Sequence, residues 1–149
     1  DVLAQHCDTT APQEASENNG TWAIGYNSDM SKETPKATLT SVIWNWSAYY
    51  TSYISSIINA SYSGENYYGG MKESLVSLTE LSSLCDDQTA EKVKEAKEKI
   101  VSGDFGVFDG VLKTNTGDSI GEEGKTLDDA KITGEINWYY HNVSELKWK

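Results

Sequence analysis

The chain has 149 residues, with 12 basic and 23 acidic side chains and a net charge of −11, a length sufficient for one domain with a real core. A nucleic-acid surface needs a basic stripe, yet the densest lysine run, EKVKEAKEKI, alternates lysine with glutamate as a solvated helix face does. No apolar run approaches the roughly 18–20 residues of a membrane span, and the acidity fits a soluble, extracytoplasmic protein.

Val2–Gln5 is a short apolar run and reads as a buried strand. A chain that opens inside a strand is expected to be a piece of a larger fold. Thr10 is a candidate N-cap, with Pro12 in the first turn and Gln13 at the capping-box position. That helix is expected to run to about Asn19 and stop at Gly20. TWAIGY is the next strand, so strand, helix and strand follow one another as in a right-handed βαβ unit.

Ala37–Trp44, rich in β-branched residues, predicts a third strand. A helix over about Ser47 to Ala60 follows, with Tyr50, Tyr53, Ile54, Ile57 and Ile58 on one stripe. The segment MKESLVSL reads as a short strand or a loop on the sheet. Asp86 or Asp87 caps a helix reaching Ser102, with Gly103 as its stop, Val93, Ala96 and Ile100 inward, and Glu95 paired with Lys99 outside. FGVFDGVLKTNTGDSI predicts a β-hairpin around Asn115 to Gly117, and INWYYHNV an aromatic strand or short helix. The expected fold class is α/β: a mostly parallel sheet with flanking helices, plus a small β-hairpin appendage.

Ligands of open parallel α/β sheets bind beyond the carboxyl ends of the strands. Three such ends carry polar or aromatic groups here: His6, Cys7, Asp8 and Thr9 after the first strand, Asn27, Ser28 and Asp29 after the second, and Trp44, Asn45 and Trp46 after the third. Taken singly, Asp8 reads equally as a helix cap, Asn27 and Asp29 as an Asx-turn, and the tryptophans as core. Their convergence on one edge favours a site. Its chemistry is recognition: carboxylate and amide groups for a heterocycle edge or sugar hydroxyls, aromatics for a flat ring. Cys7 and Cys85 form no CxxC or zinc spacing and read as free thiols or as one disulfide. His6 and His141 are too few for a histidine-rich metal site. No catalytic motif, phosphate loop or dinucleotide fingerprint occurs, so neither a catalytic set nor a cofactor is expected.

Gln5-His6-Cys7-Asp8-Thr9, Gly25 to Met30, Asn45 to Tyr50, YGGMKESLVSL and GEINWYYHNV, in that order, resemble the motifs of the basic membrane protein (BMP) family. These are substrate-binding lipoproteins of ABC transporters with the type I periplasmic-binding-protein fold. The resemblance implies that residues 1–149 are the carboxyl-terminal half, mainly the second lobe, of a two-lobe solute-binding protein. It implies an extracytoplasmic setting, lipid-anchored or periplasmic, a membrane permease as partner, and a purine nucleobase or nucleoside as ligand. By motif it carries Asp8, Asn27, Trp44 and Lys72 over as ligand-binding positions, with His6, Asp29 and Trp46 beside them. Two positions depart from the family pattern: an amide at Asn27 where some members have an acid for ribose, and Ser74 where glycine is usual. An enzyme acting on nucleosides and a ligand-sensing regulator of the same fold are the competing expectations. The apolar stripe of the Ser47–Ala60 helix is expected to face the other lobe, leaving the isolated chain with apolar exposure or a tendency to self-associate.

Overall fold

The computed structural model describes residues 1–144. The chain divides into two compact units, Asp1–Ser102 and a second that begins at Gly103.

The first unit is built on a four-stranded sheet in the order β1-β2-β3-β4, with β1 at Val2–Ala4, β2 at Trp22–Asn27, β3 at Thr38–Trp44 and β4 at Val76–Leu78. β1, β2 and β3 are parallel, and β4 runs antiparallel to β3. Helix α1, Ala11–Asn18, joins β1 to β2. α2, Trp46–Ile58, follows β3, and α3, Asp87–Ser102, follows β4. The expected mostly parallel α/β sheet is therefore present.

Several local readings change. β1 is an edge strand with Val2 51% and Leu3 43% exposed, not the buried strand its composition suggests. Thr10 has helical backbone angles and makes no side-chain cap; its hydroxyl donates to the Glu14 carboxylate, while the Thr9 hydroxyl accepts from the Ala11 N–H. Gln13 is not a capping-box residue, because its side chain is wholly buried. In α3, Lys94 pairs with Glu91 at 3.6 Å, and no Glu95–Lys99 pair forms among the described residues. Val93 and Ile100 are half-buried as expected, but Ala96 is exposed at the mouth of an apolar slot of about 250 Å³ that α3 leaves against Val42, Met71 and Leu78. Both thiols are free, with Cys7 exposed.

The buried centre of this unit is small and largely polar. Ala23, Met30, Ala37 and Leu75 are its buried apolar residues among those described, beside Gln13, Ser16, Thr34, Thr38, Thr40 and Ser41. Burying such groups is tolerable only when each is hydrogen-bonded, and no buried side-chain nitrogen or oxygen lacks a partner among the described residues. Gly25 and Ser41 are register partners on β2 and β3. A Cβ on Gly25 would lie 2.3 Å from Ser41 Oγ and 3.3 Å from Gln13 Nε2, so only glycine fits.

In the second unit the hairpin is β5, Leu112–Lys113, against β6, Ser119–Ile120, as expected. Helix α4, Asp129–Gly134, starts at Asp128, whose carboxylate accepts from the Lys131 N–H at 2.9 Å. INWYYHNV forms neither a strand nor a helix; it crosses the hairpin through a single bridge between Tyr140 and Thr114.

Gly25→Ala should destabilise the first unit by about 1–3 kcal/mol, the usual range for forcing one carbon into a filled core. Adding Ser41→Gly opens the space but removes the acceptor of the buried Met30 N–H, so the double variant should remain less stable than the parent, read by urea unfolding. A second expectation concerns Asp86, which accepts from the Thr89 N–H at 2.7 Å. The Thr89 side chain and then its N–H hold the Asp86 carboxyl below its ordinary value of 3.8. A carboxyl depressed in the folded state stabilises above its unfolded pKa and stops doing so as pH falls through the folded one. Asp86→Ala should therefore lower the Tm at pH 7, and the deficit should shrink on titration below about pH 4.

Candidate functional site

Because β1, β2 and β3 are parallel, their carboxyl ends share one edge. β4 runs the other way, so its beginning lies at that same edge: Val76 pairs with Trp44, and the Leu75 carbonyl accepts from the Asn45 N–H at 2.7 Å. The turn carrying Lys72 is thereby delivered to the edge occupied by the segments after β1, β2 and β3.

Side chains meet there across the chain. Asn27 Nδ2 donates to Asp8 Oδ1 at 3.3 Å, linking the ends of β1 and β2. The His6 and Tyr26 rings lie 4.2 Å apart, also across those two strands. Trp44 and Trp46 stack at 5.7 Å, and Tyr50 continues the row at 6.2 Å from Trp46. Lys72 is exposed and has no hydrogen-bond partner among the described residues. Its neighbour Glu73 accepts from the Gly70 N–H at 2.8 Å, and that bond, more than the nearby Lys72 ammonium, holds the Glu73 carboxyl below its ordinary range.

Asp29 occupies a different position in this chemistry. Its Oδ1 accepts from the Ser31 N–H at 3.0 Å, and the Ser31 hydroxyl, followed by that N–H, keeps the Asp29 carboxyl below its usual value. This is an Asx-turn, and it leaves the carboxylate less free for a ligand than that of Asp8.

Met30 holds the loop in place. Its N–H donates to Ser41 Oγ at 3.2 Å, and its carbonyl accepts from the Thr34 hydroxyl at 3.3 Å. Its sulfur accepts from Gln13 Nε2 at 3.0 Å and Gln5 Nε2 at 3.3 Å, and Gln5 also donates to Gln13 Oε1 at 3.0 Å. Gln5, Gln13 and Ser41 were not legible as contributors to the site. Two signals pointed their way: a Met closing an otherwise polar loop, and two small residues, Gly25 and Ser41, inside strands of bulky ones.

Backbone strain marks the same edge. Asn27 has φ +71° and Ser74 φ +61°, a left-handed region that Asn tolerates and other L-residues enter at a cost of roughly 1–2 kcal/mol. Ser74 lies one turn from Lys72. Its angle supplies a physical reason why glycine would be preferred there. No group of three or more His, Cys, Asp or Glu side chains among the described residues is arranged to hold a metal.

This mostly parallel α/β sheet gathers hydrogen-bonding and aromatic groups at the carboxyl edge, the place where open sheets of this kind bind ligands. A family model described as ABC transporter substrate-binding protein, PnrA-like, matches residues 1–109, and the chain belongs to this Bmp family. It is 30% identical over 145 residues to a purine-binding protein of Brucella abortus, covering 97% of this chain and 41% of that protein. It is 28% identical over 110 residues to a Haloferax volcanii protein carrying the name of an ABC transporter glucose-binding protein, covering 74% of this chain and 28% of that one. The chain thus spans less than half the length of both relatives. Among solved structures it is similar in fold to a transcriptional activator of the comK gene from Bacillus halodurans, with TM-score 0.62 and 24% identity over 70% of this chain and 38% of that one. It is also similar in fold to an ABC transporter solute-binding protein from Conexibacter woesei, with TM-score 0.51 and 17% identity over 71% of this chain and 36% of that one.

Ser74→Gly should raise stability by about 0.5–1 kcal/mol, the left-handed penalty less the added freedom of an unfolded glycine. Denaturant titration of the two chains would read this; a loss of stability would mean that the serine is held by contacts of its own.

Proposed function

We propose that this chain is the carboxyl-terminal half, mainly the second lobe, of an extracytoplasmic solute-binding protein that delivers a purine-like ligand to the permease of an ABC importer. The Asp8–Asn27 hydrogen bond at the sheet edge carries the reading. An ionised carboxylate only accepts, so Asp8 fixes which end of the Asn27 amide faces it. Asn27 Oδ1 and its second N–H are left as an acceptor and a donor side by side. A 6-aminopurine offers the complement, an exocyclic N–H beside a ring nitrogen. Trp44 and Trp46, already stacked on one another, supply aromatic surface for the flat ring. Lys72 supplies a cation free to meet a ribose hydroxyl or ring acceptor, and His6 closes the edge beside Asp8. Asp29 shapes the loop from its turn. The name of the Brucella relative supports a purine, and its greater length supports a second lobe opposite this one.

The left-handed backbone at Asn27 decides the choice of variant. Asn27→Ala would combine loss of the amide with backbone strain, whereas Asn27→Gly removes the amide and keeps the angle. In the full-length protein, Asn27→Gly should weaken purine binding roughly tenfold to a hundredfold, as expected when a desolvated group loses its partner. Asp8→Ala should weaken it too by freeing the amide to rotate. Calorimetric titration with adenine, adenosine and guanosine reads both. Unchanged affinity for every purine the parent binds returns Asn27 to the role of a turn residue; a parent that binds no purine overturns the ligand class.

A further inference from the structure

We propose that the cleft between α2 and the segment 59–70 is a saccharide subsite that receives a single neutral pyranose ring. The cleft encloses about 210 Å³ and shares no residue with the strand-end edge. That volume falls below the roughly 300–1,000 Å³ of sites for drug-sized ligands, so it suits one ring. One wall is a continuous row of phenol rings: Tyr67 lies 4.7 Å from Tyr49, Tyr49 lies 5.7 Å from Tyr53, and Tyr53 lies 5.0 Å from Tyr62. A hydrogen bond between the Tyr62 and Tyr53 side chains ties the end of the wall together and pushes the Tyr53 phenol above its ordinary value.

The lining chemistry narrows the occupant. No lysine or arginine lines the cleft, which leaves nothing to neutralise a phosphate or carboxylate. No aliphatic side chain lines it, which leaves nothing for an acyl chain. The rings follow one another in a row of pairwise contacts, unlike the aromatic cage that takes an ammonium ion, and Glu65, the one charged side chain of the lining, offers carboxylate acceptors to sugar hydroxyls. The side chains of Ser52, Ser63 and Asn66 line the cleft and make no hydrogen bond among the described residues. Phenol faces pack on the C–H face of a pyranose, while hydroxyl and amide groups exchange hydrogen bonds with its rim.

Saturation-transfer NMR on the 149-residue chain tests this, with methyl β-glucopyranoside, choline and inorganic phosphate as probes. The glucoside should receive saturation at its ring C–H protons. Tyr67→Ala should cut its affinity about fivefold, the factor one stacked ring carries, with the far-ultraviolet circular dichroism unchanged. Asn66→Ala should also weaken it, and that variant decides the matter if Tyr67→Ala unfolds. No transfer to the glucoside, affinity unchanged in the folded variants, or tighter binding of choline or phosphate than of the glucoside would each overturn the proposal.

Discussion

Everything at the sheet edge depends on one close approach, that of Gly25 on β2 to Ser41 on β3. The missing side chain at Gly25 makes room for Ser41 Oγ and Gln13 Nε2. The serine hydroxyl then accepts the Met30 N–H, and the glutamine holds the Met30 sulfur. Sulfur is a weak acceptor, so no single bond here is strong. The anchor works because the backbone N–H, the carbonyl and the side chain of Met30 are engaged together, inside a region where an unpaired polar group would be expensive. The loop between Asn27 and Ser31 therefore leaves the sheet at a defined angle, and Asn27 reaches Asp8.

The same unit is firm at its centre and bare around it. Buried groups sit on β2, β3, α1, the loop between the strands and at Leu75 just before β4, while α2 and α3 bury no residue completely. Apart from Trp46 and Ala48, α2 consists of serine, threonine, tyrosine and isoleucine, which give little intrinsic helical preference. It leaves Trp46, Tyr50, Ile54, Ile57 and Ile58 in solvent, with Ile58 77% exposed. Exposure of this kind marks a contact surface more often than a free one, in keeping with a chain that spans less than half of its relatives. Of the expected stripe, Tyr50, Ile54, Ile57 and Ile58 are exposed, whereas Tyr53 is half-buried against Tyr49 and Tyr62.

How far the sequence revealed this structure depended on whether a signal was local. β-branched runs located β2 and β3, and glycines located the ends of α1 and α3, because those preferences act within a few residues. The hairpin at Leu112–Ile120 was legible for the same reason. β1 was misjudged because apolar composition does not distinguish an edge strand from a central one. Gln13 was misjudged because its partners lie at Gln5 and Met30, and such spacing has no period to detect. INWYYHNV has strand-like composition, but the hairpin offers it one bridge and no continuing ladder. At the candidate edge, parallel topology alone brought the three strand ends together. The turn of Lys72 joined them through an antiparallel pairing that the sequence left open between strand and loop.

The left-handed residues do not share one cause. Three described residues other than glycine have left-handed backbones: Asn27, Ala60 and Ser74. Ala60 directly follows the C-cap of α2, where such a conformation is the ordinary way to end a helix and recover its last carbonyls; its N–H donates to the Ile57 carbonyl at 3.1 Å. Ser74 repeats this arrangement at the turn that follows Gly70: its N–H donates to the Met71 carbonyl at 3.1 Å and the Leu75 N–H to the Gly70 carbonyl at 3.0 Å, so of the three only Asn27 has no such turn to end. Asn27 lies at the last residue of β2 and directs its amide to Asp8, and Ser74 closes the turn that carries Lys72. Strain that persists without a local structural need implies that something else over-determines the conformation, and binding sites are where that situation concentrates. An amide thus occupies the strained end of β2, in a conformation that asparagine adopts more readily than other residues with a side chain, and its Nδ2 donates to Asp8 Oδ1.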